Sequence, residues 1–211
     1  MVYRQSGNLY LLHIAVWKKE WGSHIAKDLK LVQQMGYRFT GVVSDGGTGI
    51  VKAVSEMFPH VPHQLCLAHR HRDVIAALGR YPKQERLKEL KYIADHVWLI
   101  ESKEALVWWK KKLAVWVKRN NEYLKEKRFD IELESWFIHK GARHAVTILQ
   151  ELPQTSFKFL DHPLMPKTTN EIEAQFGHIG KRWLSHRGLK RDRWENYLQW
   201  FVYFYNQEKI S

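Results

Sequence analysis

The stretch that decides the fold is Phe39-Thr-Gly-Val-Val43, followed directly by Ser44-Asp45-Gly46-Gly47. A short run of apolar and β-branched residues that ends at a glycine pair is typical of a buried strand. The next segment, Ile50–Phe58, predicts a helix that Pro59 ends. Asp45 therefore lies at the carboxyl end of a predicted strand, the edge at which open α/β sheets bind their ligands.

Alternating strands and helices continue on both sides of this stretch. Strands are predicted at Leu9–Val16 and His63–Leu67, and helices at Ser23–Met35 and Ala68–Leu78. A repeated strand–helix pattern is typical of a parallel α/β sheet. Residues 1–80 are therefore expected to form the α/β part of the fold.

Residues 81–160 predict an all-α insertion. Apolar residues recur at helical spacing in Leu87–Val97 and in Leu106–Trp116, and Ser102 can cap the second helix. Further helix is expected within Ser135–Leu149, and Pro153 marks the start of the return connection.

Residues 161–211 are expected to return to the α/β part as two helices, Thr169–Leu184 and Arg193–Gln207. The connection between them is basic, with six Lys or Arg side chains in thirteen residues. A phosphate backbone suits such a cluster, and a solvated helix junction is the alternative. The candidate DNA-binding residues are Lys181, Arg182, Arg187, Lys190, Arg191 and Arg193.

Composition excludes several classes of protein. The 211 residues include 45% hydrophobic residues and ten tryptophans, which is typical of a folded chain. No apolar run approaches 18 residues, and residues 1–7 lack a signal-peptide pattern, so no membrane association is expected. The single cysteine excludes an internal disulfide and fits a reducing compartment such as the cytoplasm. A net charge of +12 favours a polyanionic partner, most simply a nucleic acid.

Three short motifs follow one another in a distinctive order: Asp45-Gly46, Cys66-Leu-Ala-His69 and Thr169-Asn-Glu-Ile-Glu173. This order resembles the Mutator-like group of transposases of bacterial insertion sequences, from about Leu9 to the C-terminus. The resemblance implies an RNase H-like catalytic core with a helical insertion. It also implies DNA transposition of a mobile element by metal-dependent strand cleavage and transfer. The implied partners are DNA, at the element ends and at the target, and further transposase copies in an oligomer.

The resemblance implies that Asp45 and Glu173 are catalytic and bind two Mg²⁺ or Mn²⁺ ions. Hard divalent ions prefer carboxylate oxygens, and paired ions stabilise the attacking and leaving oxygens of a phosphoryl displacement. Asn170 is expected beside this acidic centre. In the alternative interpretation, Asp45 only caps the following helix or serves the turn.

Glu173 has alternatives that the sequence leaves open. The spacing of Asn170 and Glu173 fits a capping box, in which Glu173 folds back on the helix start. Thr168 and Glu171 have the same spacing and would leave Glu173 available. The resemblance favours Glu173 over Glu171 as the metal ligand.

Cys66 and His69 form a C-x2-H motif, with His63 and His71 close in sequence. Zinc is one interpretation, since structural zinc sites use Cys and His in short spacings. The resemblance implies instead that Cys66 packs beside the sheet and that His69 lies near the acidic centre. A purely structural role for both residues is the third interpretation.

Further basic and aromatic residues fall in the insertion. Lys110–Lys112 and Lys118–Arg119 are expected on a solvated helix face. Trp108 and Trp109 are both expected in the core of the insertion, rather than on a surface that stacks against bases.

The family pattern includes a first catalytic aspartate on a strand upstream of Leu9. Met1–Asn8 contain no Asp or Glu, and neither Glu20 nor Asp28 matches the family position. We therefore expect this chain to be an N-terminally truncated and catalytically defective copy. The alternative is a non-catalytic DNA-binding fragment that modulates full-length transposase.

Overall fold

The chain divides into two compact units, residues 1–66 with 162–211 and residues 67–161. The computed structural model describes residues 2–5, 11–15, 21–129, 134–174, 177, 190 and 193–208. Single 3₁₀ turns occupy His96–Leu99 and Lys158–Leu160. In chain order the other elements are β1 (Val2–Arg4), β2 (Leu11–Ile14), α1 (Gly22–Gln34), β3 (Val42–Ser44), α2 (Thr48–Met57), β4 (His63–Leu65), α3 (Leu67–Leu78), α4 (Glu85–Asp95), α5 (Lys103–Arg119), α6 (Asn121–Lys125), β5 (Lys127–Phe129), β6 (Ser135–Phe137), α7 (Lys140–Thr155), α8 (residues 170–174) and α9 (Trp194–Gln207).

The predicted alternation of strands and helices is confirmed from β2 to α3, and the fold is a mixture of helix and sheet. The predicted parallel pairing is confirmed only for β3 and β4, because among the described residues β2 pairs with β1 and not with β3 or β4. β3 and β4 pair in parallel, with Val43 opposite Gln64 and Ser44 opposite Leu65. The α2 crossover makes this pairing possible, because parallel strands need a long connection. The sequence did not predict β1, which pairs antiparallel with β2 and is only three residues long.

Helices α1 and α2 form one core of the first unit. Apolar residues at helical spacing, Ile25 and Leu29 on α1 and Ile50 and Val54 on α2, are buried against one another. Tyr3 of β1 packs against the same cluster, as Val42 of β3 does. This layer therefore supports both of the strand pairs in the unit.

Helix α9 covers β2 in a second core. Leu198 and Phe201 pack against Leu11 and Ile14. The side chain of Asn206 accepts a hydrogen bond from the Leu11 N–H at 2.9 Å and donates one to the Leu11 carbonyl at 2.8 Å. The C-terminal helix is thus bonded to the main chain of β2 as well as packed against it.

In the second unit, α5 is anchored to α4 by buried tryptophans. The indole N–H of Trp109 donates to the carbonyl of Ile93 at 2.8 Å, and that of Trp116 to the carbonyl of Arg86 at 3.0 Å. The predicted cap of α5 is confirmed, because Ser102 Oγ accepts from the N–H of Ala105 at 3.1 Å.

The structure corrects the prediction for this unit in three places. The insertion is not all helical: Lys127–Phe129 and Ser135–Phe137 form an antiparallel pair, in which aromatic side chains favour the extended backbone. Pro153 does not end the helix but lies in the last turn of α7. Trp108 is 58% exposed, whereas Trp109 is buried as expected. The two side chains differ because adjacent helical residues point about 100° apart.

No helix among the described residues has both the length and the apolar composition needed to cross a membrane.

The close contact of α3 with α7 gives a stability prediction at Gly141. A Cβ at this position would lie 2.3 Å from the carbonyl oxygen of Ala77. We expect Gly141→Ala to lower the free energy of unfolding by about 1–3 kcal/mol, as overpacking does. Urea denaturation followed by circular dichroism measures this change.

Gly177→Ala is the matched control, because a Cβ there meets no described atom within 4 Å. That exchange should be neutral or stabilising, as alanine is the better helix former by about 1 kcal/mol. Equal effects at the two glycines would contradict the close packing of α3 and α7.

Candidate functional site

The ends of β3 and β4 form the edge on which the site is built. Since Ser44 and Leu65 lie opposite each other, Asp45 and Cys66 follow the two strands at the same edge. The N–H of Cys66 donates to the carbonyl of Ser44 at 2.6 Å, which extends the ladder to this point. The pairing of β3 with β4 thus places Asp45 and Cys66, which belong to different sequence motifs, next to each other in the fold.

Asp45 occupies a tight turn at this edge. Its Oδ1 accepts from the N–H of Gly47 at 3.0 Å, and Gly46 has a φ of 90°, a conformation that favours glycine. The helix-cap interpretation is wrong, because α2 begins after Gly47 without a side-chain cap. Asp45 serves the turn through this hydrogen bond. The Asp45 side chain is also exposed, so a cation can approach its carboxylate.

Ser44 and His63 form a hydrogen bond behind this turn. Ser44 Oγ lies 2.8 Å from His63 Nε2 and also accepts from the N–H of Gly46 at 3.3 Å. The sequence analysis missed Ser44 as part of the site. The signal was present, because side chains two residues apart share a sheet face and parallel pairing brings position 63 beside position 42.

His63 and His71 do not join Cys66 in the four-ligand zinc site that the sequence allowed. His63 bonds Ser44, and the ring of His71 bonds the Asp95 carboxylate at 2.8 Å. Among the described residues, neither ring belongs to a group of ligand-type side chains that contains Cys66. His69 lies in the first turn of α3, within the second unit.

The start of α8 is held against Cys66. The thiol Sγ of Cys66, which is fully buried, accepts from the N–H of Thr169 at 3.3 Å. A carboxylate oxygen of Glu173 lies within 4.8 Å of the same sulfur. This agrees with the expectation that Cys66 packs beside the sheet, and it brings Glu173 to the edge of β4.

Neither predicted capping box is formed at α8. Thr169 is the residue before the helix: its carbonyl accepts from the N–H of Glu173 at 3.1 Å, and its hydroxyl donates to Glu173 Oε1 at 3.3 Å. The Asn170 N–H is bonded to Thr168 Oγ1 at 3.4 Å, and Asn170 itself is exposed. The residue before the helix is therefore Thr169, which lies between Thr168 and Asn170, the two cap positions that the sequence allowed.

The structure distinguishes Glu171 from Glu173. Glu171 pairs with Arg4 of β1 at 2.8 Å, and its side chain is 73% exposed, whereas the Arg4 side chain is only 5% exposed. Glu173 lies instead on the side of Cys66 and is half-buried. Glu171 therefore has a structural ion pair, while Glu173 faces the candidate site.

The segment before α8 is fixed to β4 by Gln64. This fully buried side chain donates from Nε2 to the carbonyl of Pro166 at 2.7 Å. Met165 is also buried, and a Cβ at Gly41 would lie 2.6 Å from its Cε. The sequence analysis did not single out Gln64, although a polar residue within a predicted buried strand is a signal, because buried polar groups require partners.

Asp28 is not a third member of the site. It is buried on α1, where its carboxylate accepts from the Tyr3 hydroxyl at 3.1 Å and lies 3.6 Å from His13 Nε2.

Of the candidate DNA-binding residues, Lys190 and Arg193 are described and exposed. Outside the described residues lie Glu20, Lys181, Arg182, Arg187 and Arg191.

The donor chemistry of the edge fits a hard divalent cation. Asp45 and Glu173 offer carboxylate oxygens, the ligands that Mg²⁺ and Mn²⁺ prefer. Asp45 follows β3, and Glu173 of α8 lies near Cys66, which follows β4, although Asp45 is not among the described side chains that gather within 4.8 Å at Glu173.

The motif order and this geometry agree with the comparison with known families. The sequence profile of the family described as "Transposase, Mutator family" matches residues 11–136, more than half of the chain. The chain belongs to the Mutator family of transposases. The matched region of this Mutator-family chain includes Asp45, Cys66 and His69 and ends before Glu173.

A curated relative is the transposase for insertion sequence element ISRM5 of Rhizobium meliloti (strain 1021). It is 33% identical over 85 residues, 40% of this chain. The match spans about a fifth (21%) of the relative's own length. The solved structures include no match to this Mutator-family chain.

Gln64 gives the prediction for this site. Gln64→Leu keeps the side-chain volume but removes the donor to Pro166, and we expect it to lower the free energy of unfolding by about 1–2 kcal/mol. Gln33→Leu, on the exposed side of α1, is the control and should change stability by less than about 0.5 kcal/mol. If urea midpoints of the two variants coincide, Gln64 does not hold the segment before α8.

Proposed function

We propose that this chain acts in DNA transposition, as the part of a Mutator-family transposase that carries two metal-binding carboxylates, Asp45 and Glu173. The observation that carries the proposal is the edge of β3 and β4. Asp45 follows one strand, and Cys66 after the other strand holds the helix start that bears Glu173. Cys66 and Thr169, which are 103 positions apart, are thereby in contact. This contact supports the convergence of distant carboxylates that two-metal chemistry requires.

The first unit is proposed to be an RNase H-like core. The parallel pair β3–β4, with an acid at its carboxyl edge and a second acid on a returning helix, supports this assignment. The second unit is then the helical insertion, with β5–β6 as its one described strand pair.

Asp45 and Glu173 would hold Mg²⁺ or Mn²⁺ at this edge. When bound there, such ions would supply stabilisation of the negative charge that develops during strand cleavage and transfer. The chain's own residues position the ligands: the Gly47 N–H orients the Asp45 carboxylate, and the Thr169 hydroxyl orients Glu173. Asn170 and the C-x2-H residue His69 are proposed to support the acidic centre.

DNA is the proposed substrate and partner, at the element ends and at the target. A net charge of +12 supports this, because lysine and arginine side chains replace the counterions of the phosphate backbone. Close to Glu173 in sequence, the proposed phosphate contacts are Lys181, Arg182, Arg187, Lys190, Arg191 and Arg193.

The 211-residue polypeptide on its own is proposed to be defective in cleavage. Its residues 1–8 contain no acid, and Asp28 is bonded to Tyr3 and His13 on α1. A shared metal site works as a unit, so the loss of one carboxylate removes most of the activity. A third carboxylate would have to come from a preceding segment or from a second polypeptide.

Cleavage is tested with a duplex that carries the terminal sequences flanking this coding region. We expect no nicking of this DNA by the purified 211-residue polypeptide in about 5–10 mM Mg²⁺ or Mn²⁺. Millimolar concentrations are used because Mg²⁺ sites that keep several waters bind the ion weakly. Strong nicking that Asp45→Asn abolishes would show that two carboxylates suffice, and would contradict the proposed defect.

Metal binding is tested separately, because it does not require cleavage. Electron paramagnetic resonance of free Mn²⁺ during titration measures the affinity. We expect Asp45→Asn and Glu173→Gln each to weaken binding by about 10-fold or more, the loss typical of a damaged metal site. Glu171→Gln is the matched control and should have little effect, since Glu171 pairs with Arg4. A larger loss at Glu171 than at Glu173 would reverse the assignment.

A second candidate function is modulation of full-length transposase by a DNA-binding fragment. The high positive charge supports this role, because DNA binding by a fragment does not require the metal site. It predicts salt-sensitive DNA binding that survives Asp45→Asn and Glu173→Gln, and reduced transposition when the fragment is added to active enzyme.

A further inference from the structure

The outer face of α5 combines exposed apolar side chains with lysines. Helix α5 buries Trp109, Leu113 and Trp116 in the second unit. The opposite side exposes 58% of Trp108, and Val115 is 65% exposed. We define the outer face as the exposed residues Val107, Trp108, Lys110, Lys111, Val115 and Lys118.

The lysines of this face have no salt-bridge partner among the described residues. Other cations of α5 have partners: Lys103 pairs with Asp161, and Arg119 with Glu89. In contrast, Lys110, Lys111 and Lys118 form no salt bridge with any residue that the structure describes. The surface from Lys110 to Lys118 is therefore positively charged, and the acid of α5, Glu104, lies in the first turn of the helix.

Trp108 is the unusual member of this surface. Its ring is covered on one side by the ammonium group of Lys112, which lies 3.7 Å from the ring centroid. A cation–π contact holds the indole in a defined orientation but does not require its exposure. Packing in the second unit uses Trp109 and Trp116 instead. An exposed aromatic ring among unpaired cations is typical of a binding surface for a polyanion.

We propose that the outer face of α5 binds duplex DNA through its phosphate backbone, as a second contact besides the basic connection between residues 181 and 193. The lysines from Lys110 to Lys118 extend about 12 Å along the helix, at 1.5 Å per residue. Duplex DNA carries about one negative charge per 1.7 Å of its axis, so several phosphates lie within reach. Charge complementarity favours DNA, and Trp108, which precedes the three lysines on α5, would lie against the sugar backbone beside the lysine contacts.

This inference rests on the proposed function only in that the chain binds DNA. It does not depend on metal binding or cleavage, because α5 carries neither Asp45 nor Glu173. It assigns DNA contact to named residues of the second unit. The sequence alone had favoured a solvated face there.

The test measures fluorescence anisotropy of a labelled random-sequence duplex with the full chain, between about 50 and 200 mM salt, the range in which phosphate contacts change affinity strongly. The variant carries Lys110→Gln, Lys111→Gln and Lys118→Gln. Loss of three phosphate contacts should reduce the slope of log affinity against log salt by about 2–3. We expect the affinity at the lower salt concentration to fall at least about 10-fold.

The matched control carries Lys83→Gln, Lys125→Gln and Lys140→Gln, three exposed lysines of the same unit away from α5. It has the same net charge as the α5 variant, so it separates a local contact from general attraction. Trp108→Ala gives an independent readout, with an expected affinity loss of about 3-fold or more and an unchanged salt slope. Urea denaturation checks that all variants remain folded.

Each remaining outcome overturns the inference in a distinguishable way. Equal slopes for the α5 variant and the control would show that only net charge matters. If the α5 variant keeps its DNA affinity but loses self-association in ultracentrifugation, the face binds a second copy instead. If the unmodified chain binds no DNA, the proposed function loses its partner together with this inference.

Discussion

The parallel register of β3 and β4 is the constraint on which the site depends. With Ser44 opposite Leu65, the strands end together, and the Cys66 N–H continues the ladder to the Ser44 carbonyl. The buried sulfur of Cys66 accepts a hydrogen bond from the N–H of Thr169, and this bond holds the start of α8 at the same edge. A shift of the register by one residue would reverse the faces of Ser44 and Gln64 and separate these contacts.

This arrangement explains why the family motifs lie far apart in sequence. The first unit ends its first segment at Cys66 and resumes at His162, so the helical unit is inserted directly after the cysteine. Gln64 and Met165 hold the returning chain just before Thr169, the residue that precedes α8. Glu171 stabilises the return through Arg4, which leaves Glu173 on the side of Cys66.

Sequence reasoning predicted the strands and helices from β2 to α3, because period-two and helical patterns and the glycine pair after Asp45 are local signals. It could not predict β1, which is three residues long, or the strand pair in the insertion, where aromatic side chains rather than periodicity determine the backbone. Trp108 was misplaced because a pair of tryptophans does not show which one faces inward. The residue before α8 is Thr169, which lies between Thr168 and Asn170, the two positions that the sequence allowed. The contact of Thr169 with Cys66 is long-range and therefore leaves no signal in the local sequence. The assignments of metal to Asp45 and Glu173 stay predictions.

One bound cation is proposed to contact both the turn after β3 and the start of α8. Fe²⁺ in place of Mg²⁺, with ascorbate and peroxide, cuts a polypeptide near the metal, and mass spectrometry locates the cuts. We expect cuts at residues 44–47 and 169–173 that excess Mg²⁺ suppresses. Suppressible cuts confined to other segments, or to only one of these two, would show that no cation is shared between Asp45 and Glu173.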